Sequence, residues 1–587
     1  MRRLGGAALL MGLVATACTS TPPTTTTTTS TTTTTTTTTT IPTTTTTTIP
    51  IDLVPEGGSI VIGMAIADEP VTLNPLAKQG DSVGVAIMSP LYSVGAFNVS
   101  ADTLELIPEV LEQFPTVSNG GVEVNEDGTM SVTYEILREA VWSDGTPISG
   151  EDFLFTLDTI LDPETGAETL IYEDIVETAV ESKSFTFTLA LPTLRYELLF
   201  PTLLPKHAVE GSNFLEDWND ELWPVGGPYE LAEWTPGEEI RFTRNASYWK
   251  TNEETRQQLP YLEEVIFRFY DDEDEVVDAY VSREVDVIAP AWSKEAVHVL
   301  ERAQADVTVV NGRVWEHLAF QYGPGRLARN ELSQNQFETF RKAIMYAIDR
   351  DAIVTELFGD SGAVQLTSYV DRYIPAISGH AWDQYPYDPP KAAGLIVKLK
   401  TANELETLQV VFTTSDNSPE RVAVVDLIAP MLADVGIEFI PELEDSLLFF
   451  GATLSEGDFD MGFWAWRAQP GFSGLVRIHD VFDPEGAIPQ GANYYRWGTE
   501  DSSVKDESTL RFAELRDAMR TTVDDEELVP LIAEAEAILA DTAVILPIYS
   551  LPVMTASRPR AVIGPAPNGS TAEFTWNVET WHMPEQG

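Results

Sequence analysis

Apolar side chains recur along this chain with the two periods that distinguish strands from helices. Residues 59–64 are typical of a buried strand, and residues 130–137 alternate with their apolar members on one face. Helical spacing of apolar residues predicts helices over 335–348, 421–435 and 529–539, the last followed by an apolar strand over 543–549. Gly436 is placed to end the second helix, which Pro430 should kink or break. The pattern predicts a mixed α/β fold without a repeating unit.

The length and the charge of the chain narrow the classes of function. The 587 residues are enough to bury more than one core, so two or more lobes are expected. The chain has 92 acidic and 35 basic residues, which gives a formal charge of −57. Such a surplus repels phosphate, and we therefore expect no binding to nucleic acid or to an anionic membrane by bulk electrostatics.

Residues 1–18 have the layout of a bacterial export signal. Two arginines are followed by an apolar run over 7–15 and by small residues that lead to Cys18. Residues 15–18 resemble a lipoprotein box, although Ala15 stands where such boxes usually carry leucine. We expect Cys18 to be lipidated and to anchor the protein outside the cytoplasm, at the cell membrane facing the periplasm or the cell surface. An ordinary signal peptide cleaved nearby is the alternative.

Residues 19–55 are rich in threonine and proline and lack enough apolar surface to pack. They are predicted to be a disordered tether. At ~3.1 Å per residue, such a segment could hold a globular domain up to ~100 Å from its anchor. A glycosylated stalk is the alternative interpretation of this composition.

The sequence lacks the common signatures of catalytic and metal sites. It has no phosphate-binding loop, no serine elbow and no pair of histidines at zinc-binding spacing on a helix. Cys18 is the only cysteine, and the acidic run 271–275 lacks the spacing of a calcium loop. We predict no cofactor, no metal and no enzymatic activity. A secreted hydrolase stays an alternative, because so many carboxylates produce chance pairs.

The segment 134–155, YEILREAVWSDGTPISGEDFLF, combines a strand, a tight turn and the start of a helix. Asp144 and Gly145 form the turn, and Ser149 is placed to cap the helix that contains Glu151 and Asp152. This segment resembles the signature of family 5 extracellular solute-binding proteins of ABC importers, which include oligopeptide and dipeptide binders.

Further segments resemble this family in the same order, so that the resemblance covers about residues 56–585. They are 71–75, 205–207, 226–229 with Trp234, 244–249, 284–286, 341–350, 387–392, 457–460 and 546–549.

The resemblance implies a two-lobed fold of the periplasmic-binding-protein type (type II, cluster C), with a ligand cleft between the lobes. The larger lobe I would comprise residues 56–317 and 547–587, and lobe II residues 318–546. The crossing strands would lie near 318–322 and 545–549. The implied function is capture of a peptide or a related small solute by a monomer, followed by delivery to the permease subunits of the importer.

One segment departs from the pattern of the peptide binders. Their motif W-x-x-D places an aspartate against the α-ammonium group of the ligand, whereas here Trp466 is followed by Arg467, Ala468 and Gln469. A neutral amide forms weaker bonds to ammonium, and Arg467 would repel it. The cargo could therefore be a non-peptide ligand such as an oligosaccharide. We predict ligand contacts for Trp466, Arg467 and Gln469, and, from location alone, for Trp464 and Tyr322.

Overall fold

The computed structural model describes residues 53–585, except residues 78, 79, 81, 166, 168, 170, 219, 220, 324–329, 331, 360–362, 364 and 572. The export signal, the lipidation of Cys18 and most of the tether fall on residues 1–52, outside the described residues.

The strands of the described residues, in chain order, are β1 Ser59–Ala65, β2 Phe97–Val99, β3 Leu106–Pro108, β4 Val122–Val124, β5 Met130–Glu135, β6 Ile175–Glu181, β7 Ser184–Leu189, β8 Tyr229–Thr235, β9 Glu239–Arg244, β10 Glu264–Tyr270, β11 Val287–Ile288, β12 Asp306–Phe320, β13 Leu408–Ser415, β14 Ile437–Glu444, β15 Met461–Arg467 and β16 Ile545–Ser557.

The α-helices of the same residues are α1 Val83–Tyr92, α2 Gly150–Leu161, α3 Lys206–Val209, α4 Glu273–Ser282, α5 Lys294–Arg302, α6 Gln334–Ala347, α7 Arg350–Phe358, α8 Pro389–Asn403, α9 Pro419–Asp434, α10 Ser446–Leu448, α11 Leu454–Glu456, α12 Gly471–Ile478, α13 Glu507–Thr521 and α14 Asp525–Asp541. A 3-10 helix, Leu194–Leu198, matters for the site.

Two long strands, β12 and β16, occupy the centre of the main sheet. The strand order is β14-β13-β15-β12-β16-β11-β1-β10-β9-β8. On one side, β15 pairs with β12 from Val314 onward, and β13 and β14 follow. On the other side, β11 pairs with the end of β16, beginning at Ala556. The pairing of β12 with β16 is interrupted by a register shift between Asn311 and Trp315, so the two halves of the sheet meet at this irregularity.

A second, antiparallel sheet of order β4-β5-β7-β6 precedes the main crossing in sequence. Helix α2 packs on β6 and β7. Ser149, the predicted cap, and Asp152 form a capping box at its N-terminus, in which Asp152 Oδ2 accepts a hydrogen bond from the Ser149 backbone N–H at 2.9 Å. The signature segment therefore has structural roles in the turn and in the helix start.

The elements predicted from periodicity are present, with shifted ends. Helices α6, α9 and α14 match the three predicted helices, and α9 continues through Pro430 without ending there. Gly436 follows α9 with a φ of 86°, the left-handed conformation expected of a terminating glycine. Strand β16 extends eight residues beyond its predicted end at residue 549.

Candidate functional site

Four of the five predicted ligand residues lie in β15 or in the short connection from it to α12. The Ala468 N–H donates a hydrogen bond of 2.8 Å to the Arg313 carbonyl oxygen, which fixes the connection against β12. Arg467 is exposed, while Trp466 and Gln469 are half-buried. These three side chains are all at least partly accessible to solvent near the end of β15. Trp466 contacts Tyr495, whereas Gln469 contacts Arg477.

Trp464 and Trp466 both contact Tyr495. The Trp464 ring stacks on Tyr495 with centroids 5.4 Å apart, and it is 2% exposed. The Trp466 indole N–H donates to the Tyr495 hydroxyl at 2.8 Å. The ring of Trp464 is enclosed by the core, so its burial does not support the predicted ligand contact, which stays a prediction.

Tyr322 is also a core residue. Its side chain is fully buried, and its hydroxyl donates to the Thr542 carbonyl oxygen at 2.9 Å. The guanidinium of Arg341 lies over its ring, 4.3 Å from the centroid. These contacts leave Tyr322 no exposed surface in this structure, so they do not support the ligand contact predicted from location alone, which stays a prediction.

A cavity of about 620 Å³ lies next to this connection, and its volume suits a small organic ligand. One wall comes from residues 171–198, which precede the crossing strand β12. The other wall comes from residues 473–480 and 519–521, which lie between the two crossing strands. The cavity is thus bordered by two parts of the chain nearly 300 residues apart.

Three arginines and two aspartates give the cavity its charge. Arg195 pairs with Asp174 at 2.9 Å, and Arg520 pairs with Asp480 at 2.7 Å. The third, Arg477, donates to the Gln469 side-chain oxygen at 3.4 Å. The predicted residue Gln469 therefore reaches the cavity through Arg477 instead of lining it.

The two walls are joined beside the cavity by a buried carboxylate. Glu197 Oε2 accepts a hydrogen bond of 2.8 Å from the Ser473 N–H in the first turn of α12. Pro470, which precedes this helix, provides no side-chain cap, so Glu197 satisfies a donor that would otherwise lack a partner. Burial raises the pKa of Glu197 to about 8, although the bond from Ser473 opposes this shift.

Another cavity, of about 640 Å³, is lined by one part of the chain alone. It is lined by residues 143–144, 221–225 and 230–234, all of which precede β12.

The described residues contain no group of three or more His, Cys, Asp or Glu side chains able to hold a metal ion. In that same part of the chain, no helix combines the length and the apolar character needed to cross a membrane.

The family model of bacterial extracellular solute-binding proteins, family 5 Middle, matches residues 105–474. The chain belongs to this family. Among its relatives is the periplasmic oligopeptide-binding protein OppA of Salmonella typhimurium, 24% identical over 518 residues, which cover 83% of this chain and 88% of the relative.

Solved structures of family 5 type share the fold. The unliganded open form of MppA, a periplasmic murein tripeptide-binding protein, matches with a TM-score of 0.69 at 18% identity, covering 91% of this chain and 98% of the other. The periplasmic EDTA-binding protein EppA matches with a TM-score of 0.66 at 20% identity, covering 91% and 98%. The mixed α/β chain thus has the two-lobed fold of periplasmic solute-binding proteins, as expected.

For this family 5 protein, the sequence predicted ligand contacts in the connection after β15, which stay a prediction, and gave no indication of the cavity beside it. No local signal marks residues 171–198, since their role depends on packing against α12 and the end of α13. Arg477 could have been noticed as a basic residue eight positions after Gln469, in a chain with few basic residues. Its environment could not have been predicted from that spacing.

Proposed function

We propose that this protein is the substrate-binding component of an ABC importer, which captures a peptide or a related small solute between two lobes. Lobe I would comprise residues 56–317 and 547–587, and lobe II residues 318–546. The family match supports this role, and the observation that carries it is a cavity of about 620 Å³ with walls from both sides of the crossing strands. The loaded protein would then deliver its solute unchanged to a membrane permease.

Binding by two lobes implies that the solute stabilises a closed arrangement. To move a hinge from 1:99 to 99:1, a solute must bind the closed state ~10⁴-fold more tightly, or ~5.5 kcal/mol. Contacts from one wall alone cannot provide this difference, because they are equal in both states. The irregular pairing between Asn311 and Trp315 is where we place the bending region.

The fold by itself leaves the chemistry of the solute open. Proteins named for a murein tripeptide and for EDTA share it. Gln469 provides no charge for an α-ammonium group, which favours peptides with blocked N-termini or other solutes over free-amine peptides.

A thermal-shift screen tests the proposed function. The panel contains di- to pentapeptides with free or capped termini, together with oligosaccharides. A solute at 100 times its Kd should raise the free energy of unfolding by ~2.7 kcal/mol. We expect one class to stabilise the protein, with one molecule bound per chain and full recovery of the unchanged solute by mass spectrometry. Conversion of the solute at catalytic protein concentration would instead support a secreted hydrolase.

The attachment to the membrane is proposed separately. Cys18 would be lipidated, residues 19–55 would form the tether, and the globular part would work as a monomer. Metabolic labelling with a fatty acid should mark the wild-type chain and not the Cys18→Ser variant. An unlabelled wild-type chain would contradict the anchor without affecting the proposed capture of solute.

A further inference from the structure

Arg477 differs from the other two arginines of the cavity in the partner of its guanidinium. Arg195 and Arg520 each form a short ion pair with an aspartate. Among the described residues, no carboxylate oxygen lies within 4.0 Å of the Arg477 guanidinium nitrogens. This is notable in a chain whose 92 acidic residues outnumber its 35 basic ones.

The polar contact that Arg477 does make leaves its charge uncompensated. The Gln469 amide oxygen accepts from Nη1 at 3.4 Å, a long bond to a neutral group. A guanidinium has five N–H donors in a planar arrangement that suits two parallel bonds to a carboxylate. Arg477 is exposed at the cavity wall, so a ligand can reach these donors.

Apolar side chains border the same cavity. Leu191 is 68% exposed and lines the cavity. Val476, next to Arg477 in sequence, and Leu198 are half-buried and line the cavity as well. A ligand that covered these side chains would gain about 25 cal/mol for each Å² of apolar surface removed from water.

The aspartates of the cavity offer no equivalent site for a cation. Asp174 and Asp480 are occupied by Arg195 and Arg520, at 2.9 and 2.7 Å. An ammonium group entering the cavity would meet these paired carboxylates and the unpaired guanidinium of Arg477. The electrostatics therefore favour a solute with a negative charge and without a positive one.

We propose that the cavity selects a small organic carboxylate, with its charged group on Arg477 and an apolar body along Leu191 and Val476. This assignment rests on the proposed function, because it names the class of solute that the two walls enclose. Gln469 acts as a positioning residue, whose neutral amide orients Arg477 without neutralising it.

The test compares two probes that differ only at the C-terminus, N-acetyl-Leu-Leu with a free carboxylate and its C-terminal amide. Binding to the full-length protein is measured by isothermal titration calorimetry. We expect the acid to bind at least tenfold more tightly than the amide. Arg477→Gln should abolish this preference, whereas Arg302→Gln, which changes an exposed arginine at the end of α5, should leave it intact.

A second variant separates the charge effect from a loss of structure. Gln469→Asp should place a carboxylate against Arg477 and should lower the affinity for the acid about tenfold, with unchanged affinity for the amide. Without ligand, Arg477→Gln and Gln469→Asp should both have the melting temperature of the wild type, since neither side chain is buried.

The outcomes distinguish the two proposals. Equal binding of acid and amide, with no effect of Arg477→Gln, would overturn the carboxylate assignment and leave the capture function standing. If neither probe bound and no solute of the thermal-shift panel did, both proposals would be contradicted.

Discussion

Glu197 shows how a single buried side chain links two distant parts of this molecule. Its carboxylate is 5% exposed and accepts a hydrogen bond from the N-terminus of α12, whose dipole favours negative charge. Desolvation is the larger effect on its pKa, which rises from 4.5 to about 8, and nearby Asp525 adds to the rise. The bond from Ser473 is stronger to the charged carboxylate, but the cost of burying that charge is larger, so the folded state favours the protonated form.

The raised pKa predicts the direction of a pH effect on stability. The folded state binds the proton of Glu197 more tightly, so its contribution to stability is fully present below about pH 4.5 and is lost as the pH rises through about 8. Urea denaturation of Glu197→Gln should show a smaller loss of stability between pH 5 and pH 8 than the wild type, by a few kcal/mol. Glu123→Gln, at an exposed position on β4, is the matched control. Identical pH profiles of wild type and Glu197→Gln would refute this role.

His479 is a second buried group, with an assigned tautomer. Its Nδ1 lies 2.8 Å from the Leu475 carbonyl oxygen, which can only accept, so Nδ1 carries the proton. Nε2, at 2.8 Å from the Tyr369 hydroxyl, then accepts from it. Burial lowers the pKa of His479 to about 4, which keeps the ring neutral at physiological pH.

This neutral histidine predicts acid sensitivity. The unfolded chain takes up a proton near pH 6.5 and the folded chain near pH 4, so the stabilisation is complete above pH 6.5 and is lost as the pH falls towards 4. The ring proton signals of His479, assigned with a His479→Gln variant, should stay constant between pH 7 and pH 5 in NMR spectra. A titration midpoint near pH 6.5 would contradict the burial argument.

At the scale of elements, α12 depends on a glycine at its first position. Gly471 has a φ of 75°, and a Cβ atom there would lie 2.6 Å from Glu197 Oε2. Both the left-handed backbone and the close approach of the carboxylate exclude a larger residue. The start of α12 is thus shaped by its contact with residues 194–198.

Two alanine substitutions test this dependence. Gly471→Ala should lower the free energy of unfolding by roughly 2 kcal/mol or more, through strain and the displacement of Glu197. Gly394→Ala, inside α8 with open space around the glycine, should raise it by about 0.5–1 kcal/mol. Chemical denaturation of both variants provides the comparison. An unchanged free energy of unfolding in Gly471→Ala would contradict the close approach of Glu197 to Gly471.

Periodic patterns predicted the ends of some elements closely and those of others poorly. Helix α6 was anticipated within one residue at each end, because Phe337, Phe340 and Ile344 repeat at helical spacing over the whole element. Strand β16 was predicted to stop at Tyr549, yet it continues past Pro552. The proline is tolerated because it pairs with Asn311 at the edge of the register shift in β12, a tertiary feature that no local pattern contains.

At the scale of the whole molecule, the family and the two-lobed fold could be predicted because motifs such as 134–155 preserve local turns and caps. The cavity could not, since Arg195 and Arg477 line it together only because two distant segments of the chain pack side by side. The environment of Trp464 likewise depends on tertiary packing that the sequence does not show. Its strand position suggested ligand contact, and only the stacking on Tyr495 revealed a core residue.

The central claim is that the two walls of the cavity approach each other around a captured solute, and a distance measurement tests it most directly. Val176 on β6 and Leu510 on α13 are 60% and 64% exposed, one in each proposed lobe. Both are replaced by spin-labelled cysteines in a Cys18→Ser background, which has no other cysteine. Electron–electron double resonance should give a shorter mean distance when the solute identified by thermal shift is added to saturation. The same distance distribution with and without bound solute would contradict capture by closure.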